Sequence, residues 1–157
     1  MSTASENYFW YLGSLTIIRV SAHEGTDQLS VIEQRASKGY SPVRHLHRNQ
    51  DELFQVLAGE FRVQVGDEEK HLKADDMLLI PKGTPHTFIV ESLEDGRWVD
   101  ITVGTDYENM VRALARPAEK LDVPPTGEDR SPENFLMNTM TAAQFGIEIM
   151  GPGLESL

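Results

Sequence analysis

Between residues 9 and 103 the chain is a succession of short apolar stretches, each cut off by turn-forming residues. That rhythm predicts many short β-strands rather than helices. The stretches place strands at 15–20, 29–36, 43–47, 53–58, 60–65, 69–73, 77–80, 86–92 and 97–103. Gly59-Glu60 and Val65-Gly66-Asp67-Glu68 read as hairpin turns, and Lys82-Gly83 lies between Pro81 and Pro85 in a third. Short strands at near-even spacing predict an all-β sandwich or barrel.

After Val103 the period changes. Residues 107–116 carry Met110, Val111 and Leu114 on one stripe of a helix that Asp106 would cap and Pro117 would stop. Pro117, Pro124, Pro125 and Pro132, mixed with charges, predict a loop over 117–134. A second short helix, capped at Thr139 or Thr141, should end at Gly146 before the apolar Ile147-Glu148-Ile149-Met150. No internal repeat is visible. The pattern describes one domain over 1–157, with a barrel core at about 15–103 and a helical and loop extension over 104–157.

Composition narrows the functional classes. No apolar run approaches the ~18 residues of a membrane span. The opening MSTASENYFW has neither a basic start nor an apolar signal core, so a cytoplasmic location is expected. The formal net charge of −11 argues against nucleic acid, whose phosphates require a basic surface. There is no cysteine, so any bound metal must be held by imidazole and carboxylate.

Such ligands stand in a distinctive order. His45 and His47 alternate on one strand and so point to the same side. Four polar residues later Glu52 opens the next strand, and His86 follows the turn Pro81-Lys82-Gly83-Thr84-Pro85. Three imidazoles and one carboxylate make a nitrogen and oxygen site for one divalent metal ion. Manganese, iron, cobalt, nickel and zinc all accept it. Asp51 is an alternative carboxylate, although it should point outward if Glu52 points in. Single histidines are usually structural, and His23 and His71 read as surface residues without a role. Phe54 and Val56 share a face with Glu52, and Phe88 and Val90 share one with His86. With Met77 and Leu79 as further walls, they would line an apolar pocket beside the metal, unless they simply fill the core. Trp10 and Trp98 have no assignable role.

The stretch GYSPVRHLHRNQDELFQVLAG and the later PKGTPH resemble the two signature blocks of the cupin superfamily over about residues 39–90. Asp75 stands where the second block has glycine, and Val90 where asparagine is common. The opening FWYLGSLTIIRV, the helix after the barrel and the closing FGIEIMGP are similar to a bacterial single-barrel subgroup related to quercetin 2,3-dioxygenase. The resemblance implies a cupin jelly-roll barrel with short C-terminal helices. It also implies a dioxygenase whose metal is held by His45, His47, Glu52 and His86. In such enzymes a flavonol binds through its 3-hydroxyl, the carboxylate takes the hydroxyl proton, dioxygen attacks, the ring opens and carbon monoxide leaves. Glu52 is then the catalytic base, with a small aromatic substrate and O2 as partners. Similar barrels act as non-oxidative cyclases or isomerases of aromatic polyketide-type products, or bind small molecules without turnover. Tyr8-Phe9-Trp10-Tyr11-Leu12 is too apolar to lie exposed. It is expected to pack across a partner barrel in a homodimer, with packing onto its own barrel as the alternative.

Overall fold

The computed structural model describes residues 7–125 and 131–157. Its strands are β1 Tyr8–Tyr11, β2 Ser14–Val20, β3 Leu29–Ala36, β4 Arg44–His47, β5 Glu52–Ala58, β6 Glu60–Val65, β7 Glu68–Lys73, β8 Met77–Ile80, β9 His86–Val90, β10 Gly96–Val103, β11 Arg116–Pro117 and β12 Ile147–Gly151. The helices are α1 Asp106–Leu114 and α2 Pro132–Gln144. Every strand expected from the pattern is present, with ends displaced by two residues at most. All pairings are antiparallel, in a large sheet ordered β11-β1-β2-β3-β10-β5-β8 and a small one ordered β12-β4-β9-β6-β7.

The inward faces meet in an aromatic core. Phe88 lies 5.0 Å from Trp98 and 5.2 Å from Phe54, ring centre to ring centre, and Phe61 packs 5.6 Å from Phe88. Tilted and edge-on pairs of this kind add about 0.5–1.5 kcal/mol each beyond their buried area. Val56, Val63, Ile80 and Val90 fill the gaps between the rings. A second cluster, with Ile18, Ile32, Met110, Val111, Ala142 and Ile147, fastens both helices to the barrel. Asp75, at the position where the cupin pattern has glycine, has φ 76°, so the backbone keeps the left-handed turn there. Aspartate tolerates that region better than most residues.

Three expectations need correction. The opening segment packs on its own barrel: β1 pairs with β2 and β11, Trp10 and Tyr11 are buried, and the Trp10 indole donates to the Asp122 carbonyl at 2.8 Å. The physical ground for expecting that segment to cross to a partner is therefore gone. The second helix starts at Pro132, not near Thr139, with Ser131 as N-cap accepting from the Asn134 amide. Proline lacks an amide hydrogen that a first-turn residue would not use, so Pro132 starts a helix here instead of ending a loop. The expected loop 117–134 thus gives up its last residues to α2, and its stretch 126–130 lies outside the described residues. Thr105 rather than Asp106 is the N-cap of α1. Among the described residues no helix is long and apolar enough to cross a membrane.

Candidate metal centre

β4 is short and half-buried up to its last residue, the buried His47, and its two histidines share a face and turn into the barrel mouth. Its pairing with β9 puts His45 directly opposite His86, and its pairing with β12 sets Ile147 beside His47 and Ile149 beside His45. One ring nitrogen from each of His45, His47 and His86 falls within 4.8 Å of the other two. From the facing sheet, the first residue of β5 brings a Glu52 oxygen to 3.1 Å from His86 Nε2 and 3.3 Å from His47 Nε2. His47, His86 and Glu52 are buried, and His45 is half-buried.

Hydrogen bonds fix how the rings face. The Nδ1–H groups of His45 and His86 donate to the carbonyls of Val43 and Thr84, at 2.7 and 2.9 Å. That choice of tautomer leaves each Nε2 for the centre of the cluster. His47 sits edge-on to Tyr107, and neither of its ring nitrogens has a hydrogen-bond partner; its 3.3 Å approach to Glu52 is off hydrogen-bond geometry. A buried imidazole without a partner is costly unless something else occupies its lone pair. Three convergent nitrogens and a carboxylate, one of them orphaned, form a donor set that fits a divalent metal ion.

Electrostatics agrees with that reading. Burial lowers the His45 pKa to about 3, with further lowering by the His86 and His47 rings. Burial also lowers His47, against the opposing charge of Glu52. For His86, burial acts downward, but the hydrogen bond and charge of Glu52 leave it raised. Burial acts to raise Glu52, yet the charge of His47 and the hydrogen bond with His86 hold it well below the usual carboxylate range. The metal-free centre thus offers two neutral imidazoles, His45 and His47, and a carboxylate that is paired with the His86 ring.

A cavity of about 290 Å³ opens beside these side chains. Phe54, Phe88 and Trp98 form its aromatic floor, and Phe135, Asn138, Thr139 and Ala142 of α2 close part of its mouth. Of the expected pocket residues, Phe54 and Phe88 line this space, whereas Val56 and Val90 pack behind them in the core. Met77 and Leu79 do not contribute. They are 55% and 57% exposed on the outer face, because the β5–β8 register sets Leu78 against Phe54 and Ile80 against Glu52. Asp51 is exposed and accepts from the Lys82 amide, so it does not replace Glu52. His23 and His71 lie exposed, His23 bonded to Asn109.

Sequence reasoning missed a polar group in the cavity wall. Gln34 Nε2 donates to Asp100 Oδ2 at 2.7 Å and to the Tyr107 hydroxyl at 2.6 Å. Trp98 Nε1 and the Tyr107 hydroxyl also donate to Asp100 Oδ2, each at 3.3 Å. Burial and the charge of Glu52 push Asp100 well above the usual carboxylate range. Its other oxygen, Oδ1, is buried without a geometric partner. Protonated, Asp100 can share its hydrogen with Glu52, which resolves that orphan. Local alternation gave no such signal: in β10 the apolar phase is Val99, Ile101 and Val103, opposite to Asp100, and in β3 the inward phase already mixes Ser30 and Ile32 with Gln34.

A double-sheet barrel with His-x-His, a facing glutamate and a third histidine at its mouth has the architecture of a cupin. Residues 32–102 match the family model described as a cupin domain. Solved structures agree at the level of fold. KdgF from Halomonas sp. superposes with a TM-score of 0.55 at 21% identity, over 62% of this chain and 86% of that one. A "predicted oxalate decarboxylase" from Thermotoga maritima gives 0.58 at 15% identity, over 66% and 97%. Two Bacillus subtilis proteins match in sequence. The uncharacterized protein YdbB is 56% identical over 43 residues, covering 27% of this chain and 38% of that protein. Quercetin 2,3-dioxygenase is 30% identical over 101 residues, covering 64% of this chain and 30% of that enzyme. The chain therefore spans well under half the length of either relative.

Proposed function

We propose that this cupin is a metal-dependent dioxygenase that cleaves a flavonol or a similar aromatic enol with O2. The observation that carries the reading is Glu52, ionised and held between His86 and His47 at the edge of an aromatic-floored cavity. The partial match to quercetin 2,3-dioxygenase supports the same chemistry. His45, His47, His86 and Glu52 would hold one divalent ion, which when bound acts as a Lewis acid on an enol hydroxyl. Glu52 accepts the hydroxyl proton, the general-base role that its ionised carboxylate and its position at the cluster permit. Phe54, Phe88 and Trp98 align a flat ring system, and the closed floor keeps water from the activated substrate.

A second reading has its own support. On the same cavity the pKa of Glu52 is held down and that of Asp100 pushed up, two carboxyl groups whose environments separate them as a base and an acid. Such a pair suits an isomerase or cyclase that moves a proton without oxygen. An oxygen electrode with a panel of flavonols separates the two. Uptake that follows flavonol loss supports the dioxygenase, and turnover that persists without oxygen supports the proton-transfer reading.

A further inference from the structure

The side chains of α2 that face the cavity are Phe135, Asn138, Thr139 and Ala142, spaced three or four apart and so on one stripe of the helix. Ala142 is buried and packs in one cluster with Ile147, which pairs with His47. Exposure grows along the stripe from there. Thr139 and Asn138 are half-buried, and Phe135, at the outer end, is 52% exposed. Four residues of helix rise carry Asn138 about 6 Å outward from Ala142. The stripe thus runs from beside the histidine cluster to the mouth, and it lies outside residues 32–102, which carry the cupin pattern.

Two features define what the outer end of the cavity accepts. Thr139 spends its hydroxyl on the Phe135 carbonyl of its own helix, at 2.8 Å, whereas the Asn138 amide has no hydrogen-bond partner among the described residues. That amide offers two donors and an acceptor. No lysine or arginine lines the cavity, so no cation there would balance a carboxylate or phosphate on the bound molecule. A neutral hydroxyl suits this end, and the Phe135 ring beside it suits an aromatic surface.

We propose that α2 selects the substrate: Asn138 hydrogen-bonds a hydroxyl on the ring of an aromatic enol farthest from the histidine cluster, and Phe135 packs on that ring. Such selection presupposes the aromatic-enol reading above and narrows it to molecules whose outer ring carries an uncharged hydroxyl. The contact is the same before and during reaction, so Asn138 acts on KM and not on kcat.

Galangin and kaempferol are flavonols that differ by one hydroxyl on the pendant ring. Titration calorimetry under nitrogen on the full, metal-loaded chain reads their binding without turnover. The wild type should bind kaempferol about three- to tenfold more tightly than galangin, the worth of one neutral hydrogen bond. Asn138→Leu, of similar volume, should bring the two affinities within about twofold by weakening kaempferol alone. Phe135→Ala should weaken both flavonols by a common factor and keep their ratio. Both exchanged side chains are partly exposed, so far-ultraviolet circular dichroism and metal content should not change. In air, Asn138→Leu should raise KM for kaempferol and leave kcat as it was. Equal binding of the two flavonols by the wild type, or a preference that survives Asn138→Leu, would overturn the proposal and leave the dioxygenase reading standing. The expected preference without oxygen uptake would uphold the proposal and overturn the oxidative chemistry alone. Binding of neither flavonol by the wild type would overturn both.

Discussion

At the scale of single residues, Asp75 shows how a fold keeps a backbone conformation when the usual glycine is replaced. Its φ of 76° is one that glycine adopts freely and a β-branched residue does not. Asp75→Val should therefore cost about 1–2 kcal/mol in chemical denaturation, and Asp75→Gly should cost less than half of that. Equal stability for the two variants would contradict the strain. The histidines make a second prediction, for protein freed of metal by chelation. The unfolded chain protonates His45 near pH 6.5, but the folded chain only at about 3. That contribution to stability is complete above 6.5 and is lost as pH falls through the interval. His47, also lowered, acts in the same direction, and His86, raised, opposes it. The melting temperature of the chelated protein should be lower at about pH 5 than at about pH 7.5. An equal or higher value at the acid pH would be inconsistent with buried neutral rings.

At the scale of elements, β8 explains both a success and a failure of sequence reading. Met77-Leu78-Leu79-Ile80 is apolar at every position, so its existence as a strand was plain but its phase was not. Only the register with β5 decides that Leu78 and Ile80 face inward. Ile80→Ala should cost about 2–5 kcal/mol, whereas Met77→Ala should stay within about 0.5 kcal/mol. Comparable losses in urea titrations would mean that the phase is wrong. The cluster was legible because strand alternation and chain order suffice to bring His45, His47, Glu52 and His86 toward one place. The wall formed by Gln34, Asp100 and Tyr107 was not read, because it joins β3, β10 and α1 through contacts that no local pattern encodes. α2 was misplaced because its first residue is a proline in a proline-rich stretch. Ser131-Pro132-Glu133 is nevertheless a good helix start, and Ser131→Ala should lower stability by about 0.5–2 kcal/mol through the lost cap.

At the scale of the whole molecule, the barrel brings the histidine cluster at its mouth, an aromatic floor and the Glu52 carboxylate to the same cavity. Since ligands from both sheets meet there, a bound ion ties the sheets together. Metal present at about a hundred times its dissociation constant should stabilise the fold by about 2.7 kcal/mol, which chelation removes. The central claim is that Glu52 is the base of an oxygen-consuming reaction, and the most direct test is Glu52→Gln. Three imidazoles retain a divalent ion without the carboxylate, and glutamine keeps the size but does not accept the proton. With metal content matched by elemental analysis, flavonol-dependent oxygen uptake should fall by about 10²–10⁴ relative to wild type. Wild-type uptake by the metal-loaded variant, or no uptake by the wild type with any flavonol, would contradict it.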